Sequence, residues 1–302
     1  MKAIRFDRLG PPEVLRPADA DEPHPAPGQI RIRVRAAGVN PVDWKIRSGS
    51  SRRAIPVALP SIPGLEAAGT VDEVGAGVDG ISIGDEVFGS AVSGAAAEYT
   101  VLDHWAAKPS AMPWTEAAAL PMAVETAARA LDRFGELAGR RLVISGAAGG
   151  VGTAAVQLAV ARGAAVIGTA SAGNQGYVRS LGAAATTYGP GLPDRVRAIA
   201  PGGADLALDV AGHGVLPDLI AITGSPDRVV TLIDPDAAAY HVPFEAGREG
   251  RAYYALAVAA DLYTQGRFTM PVAGTFALQD LAEAHRISEA GHVRGKLAVS
   301  LA

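Results

Sequence analysis

A glycine-rich turn between a short apolar run and a helix-like pattern most restricts the fold of this 302-residue chain. The run Leu142-Val143-Ile144 leads into a series of small residues, and apolar residues then recur at the spacing of one helix face. Strand, glycine turn and helix in this order are typical of the start of a dinucleotide-binding fold, in which backbone N–H groups approach a pyrophosphate. We therefore predict that the residues of the turn bind the cofactor: Ala148, Gly149, Gly150, Val151 and Gly152.

The glycine pattern alone is weak evidence, because glycine-rich turns are common and often only structural. Its spacing fits GxGxxG with Ala147 in the first place instead of glycine. The context strengthens the interpretation, since a second apolar strand is predicted at 164–168, after the amphipathic helix. This order of elements favours a cofactor site over a plain turn.

The residues after the second strand indicate which nicotinamide cofactor binds. In an NAD-binding unit an Asp or Glu about 20 residues after the turn binds the adenosine ribose, but the segment from Gly168 to Gln175 contains no carboxylate. Ser171, Asn174 and Gln175 can donate hydrogen bonds to a 2′-phosphate, so we predict NADPH, with Ser171 and Gln175 among its ligands. The alternative is that these polar residues form a loop that caps the helix predicted around Gly176–Leu181.

Composition argues against several classes of partner. With a net charge of −4 and an isoelectric point near 5.9, the chain is not expected to bind nucleic acid or an anionic membrane. It has no cysteine, which excludes disulfide frameworks and thiolate metal sites and fits a reducing cytoplasm. No apolar run approaches the roughly 18 residues that a membrane span needs. We therefore expect a soluble cytoplasmic protein that acts on a small molecule.

The two parts of the chain follow different periodicities. Residues 29–37 alternate isoleucine and valine with arginine, which predicts a half-buried strand, and short glycine-punctuated strands continue toward residue 113 as an antiparallel, barrel-like β domain. From Arg141 onward strands and helices alternate with short loops, as a parallel sheet requires. In this part we expect strands at 142–145, 164–168, 186–188, 206–210 and 228–233. A helix at 251–265, a strand at 276–278, a helix at 279–290 and a strand at 296–301 follow.

Six short motifs follow one another along the chain: Ala37–Asp43, Gly64–Gly69, Gly84–Val87, Thr126-Ala127, Ala148–Gly152 and Gly295–Leu297. In order and spacing they resemble the medium-chain dehydrogenase/reductase superfamily, and within it the zinc-independent quinone oxidoreductase-like branch. The resemblance covers essentially the whole length. It implies an α/β fold with a GroES-like β-barrel catalytic domain at 1–113 and 268–302. A Rossmann domain with a doubly wound parallel sheet, at 114–267, would bind NADP(H).

The resemblance also predicts whether a metal is present. Zinc-dependent relatives bind the catalytic zinc through a cysteine after the GV turn and a histidine in a GHE motif, and here these positions hold Asn40 and Leu65. None of the six histidines has HxH or HExxH spacing. We therefore expect no metal site and no effect of chelators on activity.

The expected nicotinamide site lies at the carboxyl ends of the parallel strands, where ligands of such folds bind. This points to Ala211 after one predicted strand and to Leu232 and Ile233 after the next. The resemblance implies in addition that Thr126 contacts the nicotinamide end and that Tyr188 helps to bind the 2′-phosphate. For Tyr188 the alternative is an ordinary aromatic residue at a strand end.

Asn40 and Asp43 lie at the position of the family's substrate-side turn, and we predict that they are the catalytic residues. The alternative is that Asn-Pro is only an ordinary turn signal.

Two positions depart from the family pattern. Related enzymes often have a lysine for the 2′-phosphate where this chain has Gln175, and many have a tyrosine in the loop that here holds Arg52 and Arg53. No tyrosine proton donor is evident, so water is expected to supply the proton, and either loop arginine is a candidate for steering an acidic substrate.

The expected function is metal-free hydride transfer from NADPH to a quinone or to the activated C=C of an α,β-unsaturated carbonyl. Such a reaction leaves negative charge on the acceptor oxygen and needs a water-poor site with a few donors. The alternatives are a dedicated enoyl reductase of a biosynthetic pathway and a non-catalytic NADPH-binding sensor or structural protein.

Relatives commonly pair the edge strands of two Rossmann sheets, so we expect a homodimer, with Thr275–Leu278 as the candidate edge strand.

Overall fold

The computed structural model describes residues 1–51, 55–247 and 250–301. The chain divides into two compact units. The barrel unit contains Met1–Met122, Leu256–Gln265 and Thr269–Ala302, and the parallel-sheet unit contains Ala123–Ala255 and Gly266–Phe268. The first unit extends beyond the boundary expected at residue 113, because the helix that follows this position packs on barrel strands.

The elements alternate as the two periodicities of the sequence predict. The strands are β1 (Lys2–Arg5), β2 (Arg16–Asp19), β3 (Ile30–Val39), β4 (Glu66–Val74), β5 (Glu86–Ala91), β6 (Tyr99–Ala107), β7 (Arg141–Ser145), β8 (Ala165–Thr169), β9 (Ala184–Thr186), β10 (Leu206–Asp209), β11 (Val229–Thr231), β12 (Val272–Ala277) and β13 (Lys296–Ser300). The α-helices are α1 (Pro41–Ser48), α2 (Trp114–Ala118), α3 (Pro121–Asp132), α4 (Gly150–Ala161), α5 (Gln175–Ser180), α6 (Leu192–Ile199), α7 (Leu216–Thr223), α8 (Ala255–Thr264) and α9 (Leu281–Ala290). Within the described ranges, no helix has the length and apolar character that crossing a membrane would need.

The barrel unit is built on a six-stranded sheet with the order β12-β13-β3-β4-β5-β6. An additional pairing of β3 with β6 closes strands β3 to β6 into a barrel. The alternation along β3 buries Ile30, Ile32 and Val34 and turns the intervening arginines outward, as its sequence predicts. Further buried residues of this core are Ala37, Ala67, Val71, Val87, Ala91, Ala95 and Leu102.

Strand β13 joins the barrel through β3. The two strands are antiparallel with Leu297 opposite Val39, and β12 pairs in parallel with the other side of β13. The strand expected around Thr275–Leu278 is therefore present as part of β12, but it belongs to the sheet of the barrel unit. This corrects the prediction that it is an edge of the parallel sheet.

The parallel-sheet unit has the strand order β11-β10-β7-β8-β9, with every neighbouring pair parallel. The chain order reverses between β7 and β10, which makes the sheet doubly wound, as predicted. Its core contains Val143, Ile167, Leu192, Val196, Ala207, Leu216, Leu219, Ile222 and Val229, among others. Because loops that follow parallel strands meet at one edge of a sheet, the loops after β7 and β10 lie together at the point of reversal.

Candidate functional site

The turn after β7 has the geometry of an anion-binding helix start. Gly146 has a φ of +81°, a conformation that favours glycine, and Gly149 is the N-cap of α4. A Cβ on Gly152 would lie 2.1 Å from the carbonyl oxygen of Gly146, so only glycine allows the helix to approach the turn. The first N–H groups of a helix have no partner within the helix. Gly150 and Val151 therefore direct N–H donors and the positive end of the helix dipole toward a bound anion.

Gly149 leaves open space beside these donors. Its φ is −77°, which any residue adopts, and a Cβ on it would meet only the carbonyl oxygen of Gly146, at 3.6 Å. Ala148, the residue before it, is buried. The turn thus combines free N–H donors with room for a ligand, which fits the pyrophosphate of a dinucleotide.

Gln175 and Ser171 lie in the turn after β8 and have different surroundings. The Gln175 Nε2 donates to the carbonyl oxygens of Ala170, Ser171 and Thr186, at 2.8, 3.2 and 3.0 Å. Its amide nitrogen therefore helps to shape the turn, and its role as a donor to the 2′-phosphate stays a prediction. The Ser171 hydroxyl makes no capping bond to the short 3₁₀ helix that follows it.

Tyr188 lies beyond the end of β9, because this strand ends at Thr186 and not at residue 188 as predicted. Its side chain is 59% exposed. Arg195 holds the surrounding loop, since its Nη2 donates to the carbonyl oxygens of Thr187, Tyr188 and Gly189 at 3.0, 3.3 and 2.9 Å. The role of Tyr188 toward a 2′-phosphate stays a prediction.

A buried carboxylate that the sequence analysis missed organises the two loops expected at the nicotinamide. Asp209 ends β10, and its Oδ1 accepts from the backbone N–H groups of Ala211 and Gly212, at 3.0 and 2.9 Å. Its Oδ2 accepts from the Thr231 hydroxyl at 2.8 Å, and this hydroxyl oxygen accepts from the N–H of Ile233 at 3.2 Å. The structure thus brings the loops after β10 and β11 together. The only signal in the sequence was a polar residue at the end of each buried strand.

Leu232 and Gly146 make further contacts with the end of β10 and the loop after it. The Leu232 N–H donates to the Asp209 carbonyl oxygen at 3.0 Å, and a Cβ on Gly146 would lie 3.0 Å from the Cβ of Ala211. The predicted residue Ala211 therefore lies beside the glycine turn, at the reversal of the strand order, and Leu232 is bonded to the end of β10.

Thr126 lies in α3 beside a buried ion network of the same unit. Its hydroxyl is 3.5 Å from Glu125 Oε2, and Glu125 is 1% exposed. Glu125 binds Arg129 through Nε at 2.8 Å and Arg251 through Nη1 at 3.0 Å. These ion pairs fix the helix around Thr126, and its contact with the nicotinamide stays a prediction.

Asn40 is part of a buried network of hydrogen bonds in the barrel unit. Its Nδ2 donates to Glu66 Oε1 at 2.7 Å, and its Oδ1 accepts a hydrogen bond from Lys296 Nζ. Asp43 Oδ2 accepts from the backbone N–H of Asn40 at 2.7 Å, as in one half of a capping box. In this arrangement the Asn40 side chain holds the turn, and its catalytic role stays a prediction.

Glu66 and Lys296 are the two charged members of this network, and the sequence analysis did not select either. Lys296 Nζ lies 2.7 Å from Glu66 Oε1, and their side chains are 6% and 0% exposed. The other oxygen of Glu66 accepts from the backbone N–H of Met122 at 2.7 Å. Gly38 makes room for this carboxylate, since a Cβ there would lie 2.1 Å from Glu66 Oε1. In the sequence they were marked only by their places in the motifs Gly64–Gly69 and Gly295–Leu297.

Asp43 is the titratable group of the turn. Burial raises the pKa of its carboxyl to about 7, the hydrogen bond from the Asn40 backbone lowers it, and the Glu66 carboxylate raises it. The Lys296 ammonium lowers the pKa of Asp43. Asp43 Oδ1 is buried without a hydrogen-bond partner among the described residues. This carboxyl therefore changes charge close to neutral pH.

The unmodified protein should lose stability as the pH rises, because the buried Asp43 carboxyl ionises, and Asp43→Asn should remove this loss. The unfolded carboxyl loses its proton near pH 3.8 whereas the folded one keeps it to about pH 7. The stability from this group is therefore complete below pH 3.8 and is lost as the pH rises through 7, by up to ~1.4 kcal/mol per pH unit. In thermal melts, the Tm of Asp43→Asn minus the Tm of the unmodified protein should increase from pH 5 to pH 8. An equal pH dependence of the two proteins would contradict this, and exposed Asp79→Asn is the control.

The remaining predictions concern the substrate loop and the metal. Arg52 and Arg53 lie outside the described residues. The positions of the zinc ligands in metal-dependent relatives hold the apolar Leu65 and the amide of Asn40, which binds Lys296 and Glu66. In the described part of the chain no group of three or more His, Cys, Asp or Glu side chains is placed to hold a metal ion. The insensitivity to chelators stays a prediction.

Two family models match the chain. The alcohol dehydrogenase GroES-like domain matches residues 26–111, and the zinc-binding dehydrogenase model matches residues 181–299. A 2-methylene-furan-3-one reductase of Solanum lycopersicum is 38% identical over 61% of this chain and 50% of its own length. The chain spans about half the length of the curated relatives that it matches.

Solved structures extend the similarity over the whole chain. The quinone oxidoreductase of Coxiella burnetii is 31% identical with a TM-score of 0.84, and the match covers 100% of this chain and 99% of that one. A mycobacterial protein complexed with NADPH is 28% identical with a TM-score of 0.84, and the match covers 100% of both chains. The closed barrel, the doubly wound sheet and these similarities together show that the chain belongs to the medium-chain dehydrogenase/reductase superfamily.

Proposed function

We propose that the chain is an NADPH-dependent reductase that transfers hydride to a quinone or to the activated C=C of an α,β-unsaturated carbonyl, without a metal. The observation that carries the proposal is the glycine turn at Gly146–Gly152, with free N–H donors at the start of α4 and open space at Gly149. The names of the similar proteins, a quinone oxidoreductase and a 2-methylene-furan-3-one reductase, support the choice of substrate class.

NADPH would supply the hydride, and the chain's residues would bind and orient it. The N–H groups of Gly150 and Val151 would hold the pyrophosphate, and the Asp209 network would fix the loops of Ala211 and Ile233 at the nicotinamide end. After hydride transfer the acceptor oxygen takes a proton, which we assign to water.

The reaction is tested by following NADPH oxidation at 340 nm against a panel of quinones, enones and enoyl thioesters. Oxidation with quinones or simple enones supports the proposal, and oxidation with enoyl thioesters alone favours the biosynthetic enoyl reductase. Binding of NADPH without oxidation by any member of the panel favours the sensor or structural protein.

NADPH should bind more tightly than NADH. The turn from Ser171 to Gln175 has no carboxylate that would repel a 2′-phosphate, and the Ser171 hydroxyl is not used as a helix cap. NADPH should therefore raise the Tm at lower concentration than NADH, because a ligand stabilises the state that binds it. Ser171→Asp should shift the preference toward NADH through charge repulsion.

Ser180→Asp, which places the same charge at an exposed position of α5, is the matched control. It should leave the preference for NADPH unchanged. Equal potency of NADH and NADPH in the unmodified protein would exclude the assignment of NADPH.

We infer a homodimer in the cytoplasm. With β12 in the barrel unit, β9 and β11 are the outermost strands of the parallel sheet. The backbone of Thr231 in β11 is bonded to Pro243 and Glu245, so residues 243–245 form the outer edge on this side, and an exposed edge is a template for pairing with a second copy. Ile233, Tyr240 and Phe244 expose apolar surface on the segment that follows β11, so we select this edge. Light scattering should give twice the 30.7 kDa mass of the chain, and a monomer at micromolar concentration would exclude the dimer. The absence of cysteine suits a reducing compartment.

A further inference from the structure

Lys296 and Glu66 form an ion pair whose position in the barrel unit is set by the sheet. Since Leu297 lies opposite Val39 in the antiparallel pairing of β13 with β3, the same register places Lys296 opposite Asn40. Lys296 Nζ binds both Asn40 Oδ1 and Glu66 Oε1. The two ions thus hold the polar end of the Asn40 side chain from two different strands.

Both members of the pair are buried, as are Glu125 and Arg129 in the parallel-sheet unit. The chain has a second buried lysine, Lys108, which lies 3.0 Å from Glu86, but the Glu86 side chain is 48% exposed. In the pair of Lys296 and Glu66 neither side chain exceeds 6% exposure. Desolvation of two ions commonly cancels their attraction, so a fully buried pair is weak evidence of a gain in stability. A role in fixing one geometry explains the contacts better.

The bonds lead from the ion pair to the carboxyl of Asp43. Lys296 and Glu66 fix the Asn40 side chain, and the Asn40 backbone N–H binds Asp43 Oδ2. The charged groups that act on Asp43 are Glu66 from β4 and Lys296 from β13, with opposite signs. Both the geometry and the charge of the turn therefore depend on the same pair.

We propose that Lys296 and Glu66 are positioning residues of the reductase, which hold Asn40 and Asp43 in one arrangement at the turn expected to face the substrate. The effect on turnover rests on the proposed function. The effect on Asp43 does not, because it follows from contacts within the barrel unit. The two effects are therefore measured separately.

The first measurement is a ¹³C NMR titration of the Asp43 carboxyl. In Lys296→Met the loss of the positive charge should raise the pKa of Asp43 by about one, and in Glu66→Gln the loss of the negative charge should lower it. Lys108→Met, which removes a buried lysine outside the network, should leave it unchanged. If neither network variant moves the pKa of Asp43, the proposal is overturned.

The second measurement separates positioning from stability. Lys296→Met leaves Glu66 buried without its partner, which is strongly destabilising, so the double variant Lys296→Met/Glu66→Gln, in which no charge is left unpaired, is made as well. We expect the double variant to recover the Tm but to keep a kcat/KM reduced by ~10–100-fold through misplacement of the turn. Its affinity for NADPH should stay unchanged.

Recovery of both Tm and kcat/KM in the double variant would overturn the proposal and leave the pair with a structural role only. If the unmodified protein reduces no member of the substrate panel, the proposed function fails. In that case the opposite shifts of the Asp43 pKa in the two single variants still support the positioning role, and their absence overturns it.

Discussion

Affinity for NADPH should fall by roughly 100-fold or more in Gly149→Val, with the fold intact. A Cβ at Gly149 meets only one atom within 4 Å, at 3.6 Å, so the side chain would project into the space where the pyrophosphate approaches. Loss of two charge-assisted hydrogen bonds of ~1.5 kcal/mol or more each amounts to a factor of ~100 in Kd. Fluorescence titration of NADPH gives the affinity, and circular dichroism checks the fold.

Two other glycines serve as comparisons for Gly149→Val. Gly202→Val places the same side chain in the same unit, where it meets only the end of a flexible arginine, at 3.1 Å, and should retain affinity. Gly152→Val should fail to fold, because its Cβ would lie 2.1 Å from a backbone oxygen. Unchanged NADPH binding in Gly149→Val would mean that the turn is only structural.

Asp209→Ala should reduce both stability and turnover. The substitution removes the acceptors of the Ala211 and Gly212 N–H groups and of the Thr231 hydroxyl. Two buried donors and one partly buried donor without partners, at ~1–3 kcal/mol each, amount to a loss of about 3–9 kcal/mol and a fall in Tm of about 10 °C or more. Since the loops proposed to face the nicotinamide lose their support, kcat/KM should fall by ~100-fold. Thermal melts and NADPH oxidation measure the two effects.

Asp205→Ala is the matched control for this prediction. Asp205 lies immediately before the same strand and accepts one exposed hydrogen bond, from the Arg141 N–H at 2.7 Å. Its loss should cost little stability and no turnover. If the two variants behave alike, the buried network does not support the site.

Patterns that repeat within a few residues were predictable from the sequence. The alternation of Ile30 and Ile32 with arginine specified the strand β3, because side chains of a strand point to opposite faces in turn. The glycine turn specified the start of α4 for a similar reason, since Gly146 and Gly152 meet a local steric requirement. Such features depend only on near neighbours in the chain.

Pairings between distant residues were not predictable in this way. Lys296 and Glu66 are separated by 230 positions, so no local pattern shows that they meet or that they bind Asn40. Gln175 follows the second strand in the sequence, but no local pattern shows that its amide binds the Thr186 carbonyl of another strand. In the same way the strands around Thr275 and at 296–301 were both predicted, but their pairing as neighbours was not.

The barrel unit is discontinuous in sequence, and this determines when it can be completed during translation. Glu66 and Asn40 belong to the first 122 residues of the barrel unit, whereas Lys296 comes from its last segment. At ~5–20 residues per second, the ribosome needs roughly 10–35 s to pass from residue 122 to residue 296. Throughout this interval the nascent barrel holds a glutamate for which the cation has not been synthesised, while the whole parallel-sheet unit emerges. The order of synthesis thus makes the addition of β13 the step that completes the turn of Asn40 and Asp43.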